Sequence, residues 1–211
     1  WGIIDPVDSP DGGNIGLHKH LSIISYISNK IPLENFIEWM YENVNMKALE
    51  VFSCKQLYSW IKIFINGIWI GVVEDPFITV NVIKQNRRYG ILPKDVSVSF
   101  YYKEKKIEIF IDSGRLMRPL YYLNNNKFSY EEINRKILNN DFNYVDLYNG
   151  FEKKKIDINF KNYKIFDIKD LYDKKLDSLK GKEGPIEYVD TNETETSLIA
   201  LDFNELKDTS K

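Results

Sequence analysis

Asn66-Gly67 constrains this chain more than any other stretch, because it sits between Ile61-Lys62-Ile63-Phe64-Ile65 and Ile68-Trp69-Ile70-Gly71-Val72-Val73. A two-residue connection that matches the twist of its strands needs positive φ at both positions, and Asn-Gly tolerates this best. The spacing predicts a hairpin over 61–73 with a type I′ turn. Asp75-Pro76 then supplies an N-cap and a first-turn proline. The helix they open runs to Arg87-Arg88-Tyr89 and stops at Gly90, with cations in its last turn. Thr79, Val80, Val82 and Ile83 are β-branched and work against that helix. Val96–Tyr102 and Ile107–Asp112 alternate around the charged turn Lys103–Lys106, and Ser113-Gly114 leads into a third strand, Arg115–Leu123. Residues 61–123 therefore read as an α+β unit of hairpin, helix and meander.

Upstream, Leu33, Phe36, Ile37, Met40, Tyr41 and Val44 recur at helical spacing, so 32–44 reads as a helix whose stripe is core. Before it stands a loop rich in Pro, Gly and Asp, from Trp1 to Leu17, which feeds an apolar run, Leu21–Ile27, expected to be buried. His18 and His20 alternate and would share one face of a strand. They are the only histidines and have no Cys or acidic partner at ligand spacing, so a metal reading fails. Downstream, 124–165 is rich in Asn and Lys and reads as linker, with a short helix near Tyr130–Leu138. Its Lys153-Lys154-Lys155 run reads as a solvated face. A further helix is expected over 166–179. Residues 186–201 read as strand, Thr/Glu-rich turn (Thr191–Glu195) and strand with an acidic tip, and the tail from Asp202 as frayed.

Net charge is -2, so a free-standing nucleic-acid binder, which carries a basic excess, is a poor fit. Cys54 is the only cysteine, which excludes an internal disulfide and a Cys-based zinc site and points to an intracellular setting. No apolar run approaches the ~20 residues of a membrane helix. The start at Trp1, inside a motif and without Met, reads as a piece of a longer protein. Ala occurs only at 48 and 200 while Asn, Ile, Lys and Tyr abound, which reads as an A/T-rich source. Against that bias Arg is informative. Arg87, Arg88, Arg115 and Arg118 form two tight clusters, where a planar, multi-donor guanidinium has been kept over Lys.

Three motifs carry a resemblance. Asp5-Pro6-Val7-Asp8-Ser9-Pro10-Asp11-Gly12, followed by Gly16-Leu17-His18-Lys19, resembles the fork of the second-largest (β-type) subunit of multisubunit DNA-directed RNA polymerases. Asp8 and Asp11 stand where that family has Glu, and Ser9 where it has Thr. Asn66-Gly67-Ile68-Trp69-Ile70-Gly71, Arg87-Arg88 and Asp112-Ser113-Gly114-Arg115-Leu116-Met117-Arg118-Pro119-Leu120 resemble its external 1 domain. Glu187-Tyr188-Val189-Asp190, an acidic spacer and Ile199-Ala200 resemble the start of external 2. The departures, including Gly13-Asn14-Ile15, point to a divergent branch, viral or A/T-rich eukaryotic. The chain then divides into the end of the fork (1–30), an external 1-like α+β domain (31–123), a linker (124–165) and the start of an external 2-like domain (166–211).

The resemblance implies part of a nucleotidyltransferase without its chemical centre, so neither a catalytic nor a metal-binding residue is expected here, and the piece alone is expected to be inactive. The catalytic Mg would be held by the largest subunit. Asp8, Asp11, Gly12, Asn14 and Lys19 would form a loop near the active centre, with Lys19 facing phosphate and the two aspartates positioning neighbours. Arg115 and Arg118 would lock the external domain internally or to a partner subunit, while Arg87 and Arg88 at minimum complement a helix dipole, worth ~0.3–1 kcal/mol each. Implied partners are the largest and other polymerase subunits, template DNA and the RNA–DNA hybrid, with no membrane. Implied locations are the nucleus, or host cytoplasm and virion for a viral member. Two other readings of the loop are weaker. An Asp8/Asp11 catalytic pair lacks a third group at defined spacing, and Gly12, Gly13 and Gly16 do not make a phosphate-binding loop. A free-standing, non-enzymatic protein-interaction module is the alternative function.

Overall fold

A computed structural model describes residues 20–131, apart from 24, 125 and 126, and residues 184–200. The architecture is mixed α+β. Strand β1 (Tyr26–Ile27) leads to helix α1 (Leu33–Asn43), strand β2 (Lys47–Ala48), a 3-10 turn (Leu49–Val51) and short helix α2 (Cys54–Leu57). The hairpin strands β3 (Ile61–Ile65) and β4 (Ile68–Val73) precede helix α3 (Pro76–Arg88). Strands β5 (Ser97–Tyr101), β6 (Lys106–Phe110) and β7 (Leu116–Tyr121) come next, then a small ribbon of β8 (Leu123–Asn124) and β9 (Lys127–Phe128). Strand β10 (Ile186–Val189) and helix α4 (Thr191–Thr196) close the described chain.

The Asn-Gly hairpin forms as its sequence requires. Asn66 has φ 49° and Gly67 φ 80°, both in the left-handed region that a type I′ turn needs. Asn66 also ties the turn to the sheet: its N–H donates to the Ile109 carbonyl at 2.9 Å, and its Oδ1 accepts the Ile111 N–H at 2.9 Å. The hairpin joins a five-stranded sheet ordered β2-β4-β3-β6-β5, in which β3 and β6 run parallel. Helix α3 starts as expected, with Asp75 Oδ1 accepting the N–H groups of Phe77 (2.8 Å) and Ile78 (3.1 Å), and it ends at Gly90, φ 71°. One core holds Phe36 and Met40 of α1, Ile63 and Ile65 of β3, Ile83 of α3, and Ile107 and Ile109 of β6, all fully buried. Each such side chain contributes about 1.5–3 kcal/mol.

Gly71, the last residue of the Asn-Gly-x-Trp-x-Gly run, has a steric role. A Cβ there would lie 2.8 Å from the Lys47 carbonyl oxygen and 2.8 Å from Met46 Cγ, because β2, paired beside β4 with Ala48 opposite Gly71, and the Met46 before it lie against this point. Gly71→Ala is expected to cost about 1–3 kcal/mol by overpacking, read as a lowered urea midpoint. An unchanged midpoint would mean that β2 moves aside freely.

Five expectations are corrected. The three strands of 96–123 do not form a meander: β5 and β6 pair, but β7 leaves for a second sheet, ordered β1-β7-β10. The break falls at Ser113-Gly114, where Gly114 takes φ 90° and turns the chain away. The acidic tip is not a strand–turn–strand, since Asp190 caps a helix over Thr191–Thr196 and residues 198–200 form no strand. None of the described residues of Leu21–Ile27 is buried, with Ile23 fully exposed and Ile27 half-exposed, and of them only Tyr26–Ile27 is strand. His20 lies in no strand. In α1, Trp39 is buried while Tyr41 of the predicted stripe is exposed. The loop to Leu17 with its aspartates, His18, the helix over 166–179, Lys153-Lys154-Lys155 and all but the start of the helix near Tyr130 lie outside the described residues.

Candidate functional site

Three stretches far apart in sequence meet around β7. Tyr26 and Ile27 of β1 pair antiparallel with Met117 and Leu116, and Ile186–Val189 of β10 pair with Tyr121–Arg118 on the other edge. Strand β7, which takes up the second half of the run Asp112–Leu120, is thus the central strand to which the segments on either side are fastened. On the β10 side the fastening is also ionic and largely buried.

Arg87 is the centre of the first cluster. Its Nη1 and Nη2 donate to Glu193 Oε2 and Oε1 at 2.7 and 2.8 Å, a bidentate pair, and Nη1 also donates to the Val96 carbonyl at 2.7 Å. Both side chains are almost wholly buried, 2% and 1% exposed. Lys84 Nζ lies 3.4 Å from the same carboxylate. A planar fork fits a carboxylate in this way and a lysine cannot. Arg88 turns to Glu187, with Nε donating to Oε1 at 2.7 Å, while its guanidinium lies 3.8 Å above the Tyr122 ring. The two helix-end cations therefore do more than complement a dipole.

Arg115 is the centre of the second cluster. Its Nη1 donates to Asp190 Oδ2 at 3.0 Å and its Nη2 to the Asp95 carbonyl at 2.6 Å, and it pairs with Asp112 through Nε at 2.8 Å. Its backbone is held as well: the N–H donates to Ser28 Oγ at 3.0 Å, and Ser28 N–H donates to the Arg115 carbonyl at 2.9 Å. Asp190 is bound from three sides, since Oδ1 also accepts Ser97 Oγ (2.7 Å) and the Glu193 N–H (2.8 Å). Beside it, Lys94 Nζ sits between the rings of Tyr26 (4.2 Å) and Tyr188 (4.7 Å), which meet edge to face. Burial pushes the Lys94 ammonium down, partly offset by Asp95. Arg118, half-buried, stands opposite Val189 in the β7–β10 register.

Burial alone would push the Glu187 carboxyl up, but Arg87 and Arg88 hold it below the usual carboxylate range. A carboxylate depressed in the folded state stabilises fully above its unfolded value, near 4.3, and that contribution is lost as pH falls through the lower folded value. Thermal unfolding of the chain should therefore drop steeply below about pH 4.3, and Glu187→Gln should flatten the slope. Equal slopes for both proteins would remove Glu187 from the account.

Sequence reasoning named all four arginines but missed their acceptors Glu187, Asp190 and Glu193 as a buried set. The available signal was Asp190 and Glu193 at N-cap and N3, a capping spacing. Among the described residues no group of three His, Cys, Asp or Glu is placed to hold a metal ion. Glu187, Asp190 and Glu193 are each bound to a guanidinium, which does not fit a metal donor set.

Fold and site together define a scaffold module, in which one strand and three arginines join three segments of a long chain. The comparisons with known proteins fall on those same segments. The family described as RNA polymerase Rpb2, domain 3, matches residues 1–27, domain 4 matches 63–124 and domain 5 matches 178–211, in chain order and together over more than half of the chain. DNA-directed RNA polymerase II subunit RPB2 of Eremothecium gossypii is 30% identical over 98% of this chain and 16% of its own length. The same subunit of Encephalitozoon cuniculi is 30% identical over 100% of this chain and 16% of its own length. Subunit Rpo2 of Sulfolobus acidocaldarius is 26% identical over 98% and 16%. The chain belongs to the Rpb2 family of RNA polymerase second-largest subunits and is the part that carries domains 3 to 5. It spans about a sixth of the length of these relatives.

Proposed function

We propose that this part of the subunit serves DNA-templated RNA synthesis as a wall of the active-centre cleft and as a scaffold for subunit assembly. The observation that carries this reading is the convergence at β7, where the segment matched by domain 3 is held to domain 4 by strand pairing, and the segment matched by domain 5 by strand pairing together with Arg87, Arg88 and Arg115. In this reading residues 1–30 are the end of the fork, 31–123 and 166–211 are external domains, and 124–165 links them. Asp8, Asp11, Gly12, Asn14 and Lys19 form the loop near the active centre, with Lys19 facing phosphate. The chemistry belongs to the whole enzyme, with its Mg held by the largest subunit. This part acts by positioning and is inactive alone. Its partners are the other polymerase subunits, template DNA and the RNA–DNA hybrid. Its place is inside the cell, in the nucleus for a eukaryotic member. Among the described residues no helix is long and apolar enough to cross a membrane. The A/T-rich and viral reading of the source rests on composition and motif departures alone.

The test is Asp11→Ala in the full-length subunit within purified polymerase. Elongation should slow several-fold while the melting temperature stays within about a degree. Normal elongation with a large fall in melting temperature would make the loop structural and remove it from the active centre.

A further inference from the structure

Residues 49–60, Leu-Glu-Val-Phe-Ser-Cys-Lys-Gln-Leu-Tyr-Ser-Trp, are half apolar or aromatic, yet none of them is buried. Val51 is 75% exposed and Tyr58 81%. The segment is nonetheless shaped. It holds a 3-10 turn and α2, the Ser53 N–H donates to Gln56 Oε1 at 3.1 Å, and the Phe52 and Trp60 rings brace each other at 4.9 Å. Ordered structure with an uncovered apolar face marks an interaction surface. Beside it opens a cleft of about 410 Å³, lined by Tyr41, Met46, Lys47, Trp60, Glu74 and Asp75 among others.

Charge says what fits there. Glu34, Glu38 and Tyr41 lie at i, i+4 and i+7 on α1, so an acidic stripe runs along one helix face to the cleft. Glu42, Glu50 and Glu74 add to it, and all five of these glutamates are exposed and have no ion pair with a described residue. Of the cations nearby, Lys47 and Lys62 each lie over a tryptophan ring, with Nζ 4.5 Å from the Trp60 centroid and 5.5 Å from that of Trp69, and Lys55 within the segment is too little to balance the acids. Such a field repels nucleic acid and attracts a basic polypeptide.

Topology says where the occupant comes from. The patch lies at the β2 edge of the five-stranded sheet. The described segments that join the rest of the chain, β1, β10 and α4, gather at the other side, where α4 packs on β5. We propose that the face formed by residues 49–60, the acidic side of α1 and the adjoining cleft docks a basic segment of another polymerase subunit. A large apolar side chain of that segment enters the cleft against Trp60, and its Lys or Arg residues meet Glu38, Glu42 and Glu74. This rests on the polymerase reading above.

The test replaces Tyr58 with a photo-crosslinking phenylalanine analogue in the full-length subunit, in polymerase purified from the source. Tyr58 is exposed, so the fold should tolerate the change. Irradiation should join it to a peptide of another subunit with Lys or Arg beside an aliphatic or aromatic residue. Adding Glu42→Lys and Glu74→Lys should cut the yield at least fivefold. A crosslink to nucleic acid or to an acidic peptide, or none in an active assembly, overturns the proposal while leaving the polymerase reading intact. A crosslink to a basic segment in an assembly without RNA-synthesising activity supports the interface but sinks the polymerase reading.

Discussion

Glu193→Ala is expected to destabilise the chain by about 3–5 kcal/mol, the cost of removing one partner from a buried ion pair. The argument is geometric. Arg87 lies inside the protein with both terminal nitrogens on the Glu193 carboxylate, and the alternatives left to it are the Val96 carbonyl and Glu187 at 3.5 Å. Without Glu193 a charged guanidinium stays buried with its fork half unsatisfied. A domain is stable by only about 5–15 kcal/mol, so this is a large share. Replacing both partners with apolar residues, Arg87→Met with Glu193→Leu, should recover much of the loss, because the desolvation cost goes with the charges. Urea unfolding of the wild type, Glu193→Ala and the double variant checks both statements. A loss below about 1 kcal/mol for Glu193→Ala, the size typical of an exposed pair, would contradict the account.

Arg115→Lys is expected to cost about 1.5–3 kcal/mol, the range for hydrogen bonds to charged groups, despite keeping the charge. One ammonium cannot reach the Asp190 carboxylate, the Asp95 carbonyl and the Asp112 carboxylate at once, as the fork does. Amide hydrogen exchange gives the sharper readout. Arg115 binds Ser28 beyond β1 through its backbone, which a lysine keeps, and Asp190 beyond β10 through its side chain, which a lysine changes, so amides of β10 should lose protection while those of β1 keep it. Equal loss in β1 would mean that its docking also depends on the guanidinium.

Local chemistry was readable and long-range partnership was not. The turn at Asn66-Gly67, the cap at Asp75 and the stop at Gly90 each depend on a few neighbouring residues, and each formed where expected. β7 looked like a third meander strand because its alternation says only that it is a strand, not which sheet it joins. Thr191–Glu195 reads as a polar turn, since Thr and Asn are poor helix formers. What makes it a helix is Asp190 at its cap and Glu193 drawn inward by Arg87, 106 positions away. The arginines stood out because Arg is scarce here, while their acceptors did not, in a chain where Asp and Glu abound.

The central claim is that this chain works as part of a polymerase second-largest subunit, and purification of the native protein under mild conditions tests it most directly. The account predicts a polypeptide several-fold larger than the 24.9 kDa of this chain, recovered with a second large polypeptide and with DNA-templated RNA synthesis. A species near 24.9 kDa, alone and without that activity, would contradict it and leave a free-standing interaction module in its place.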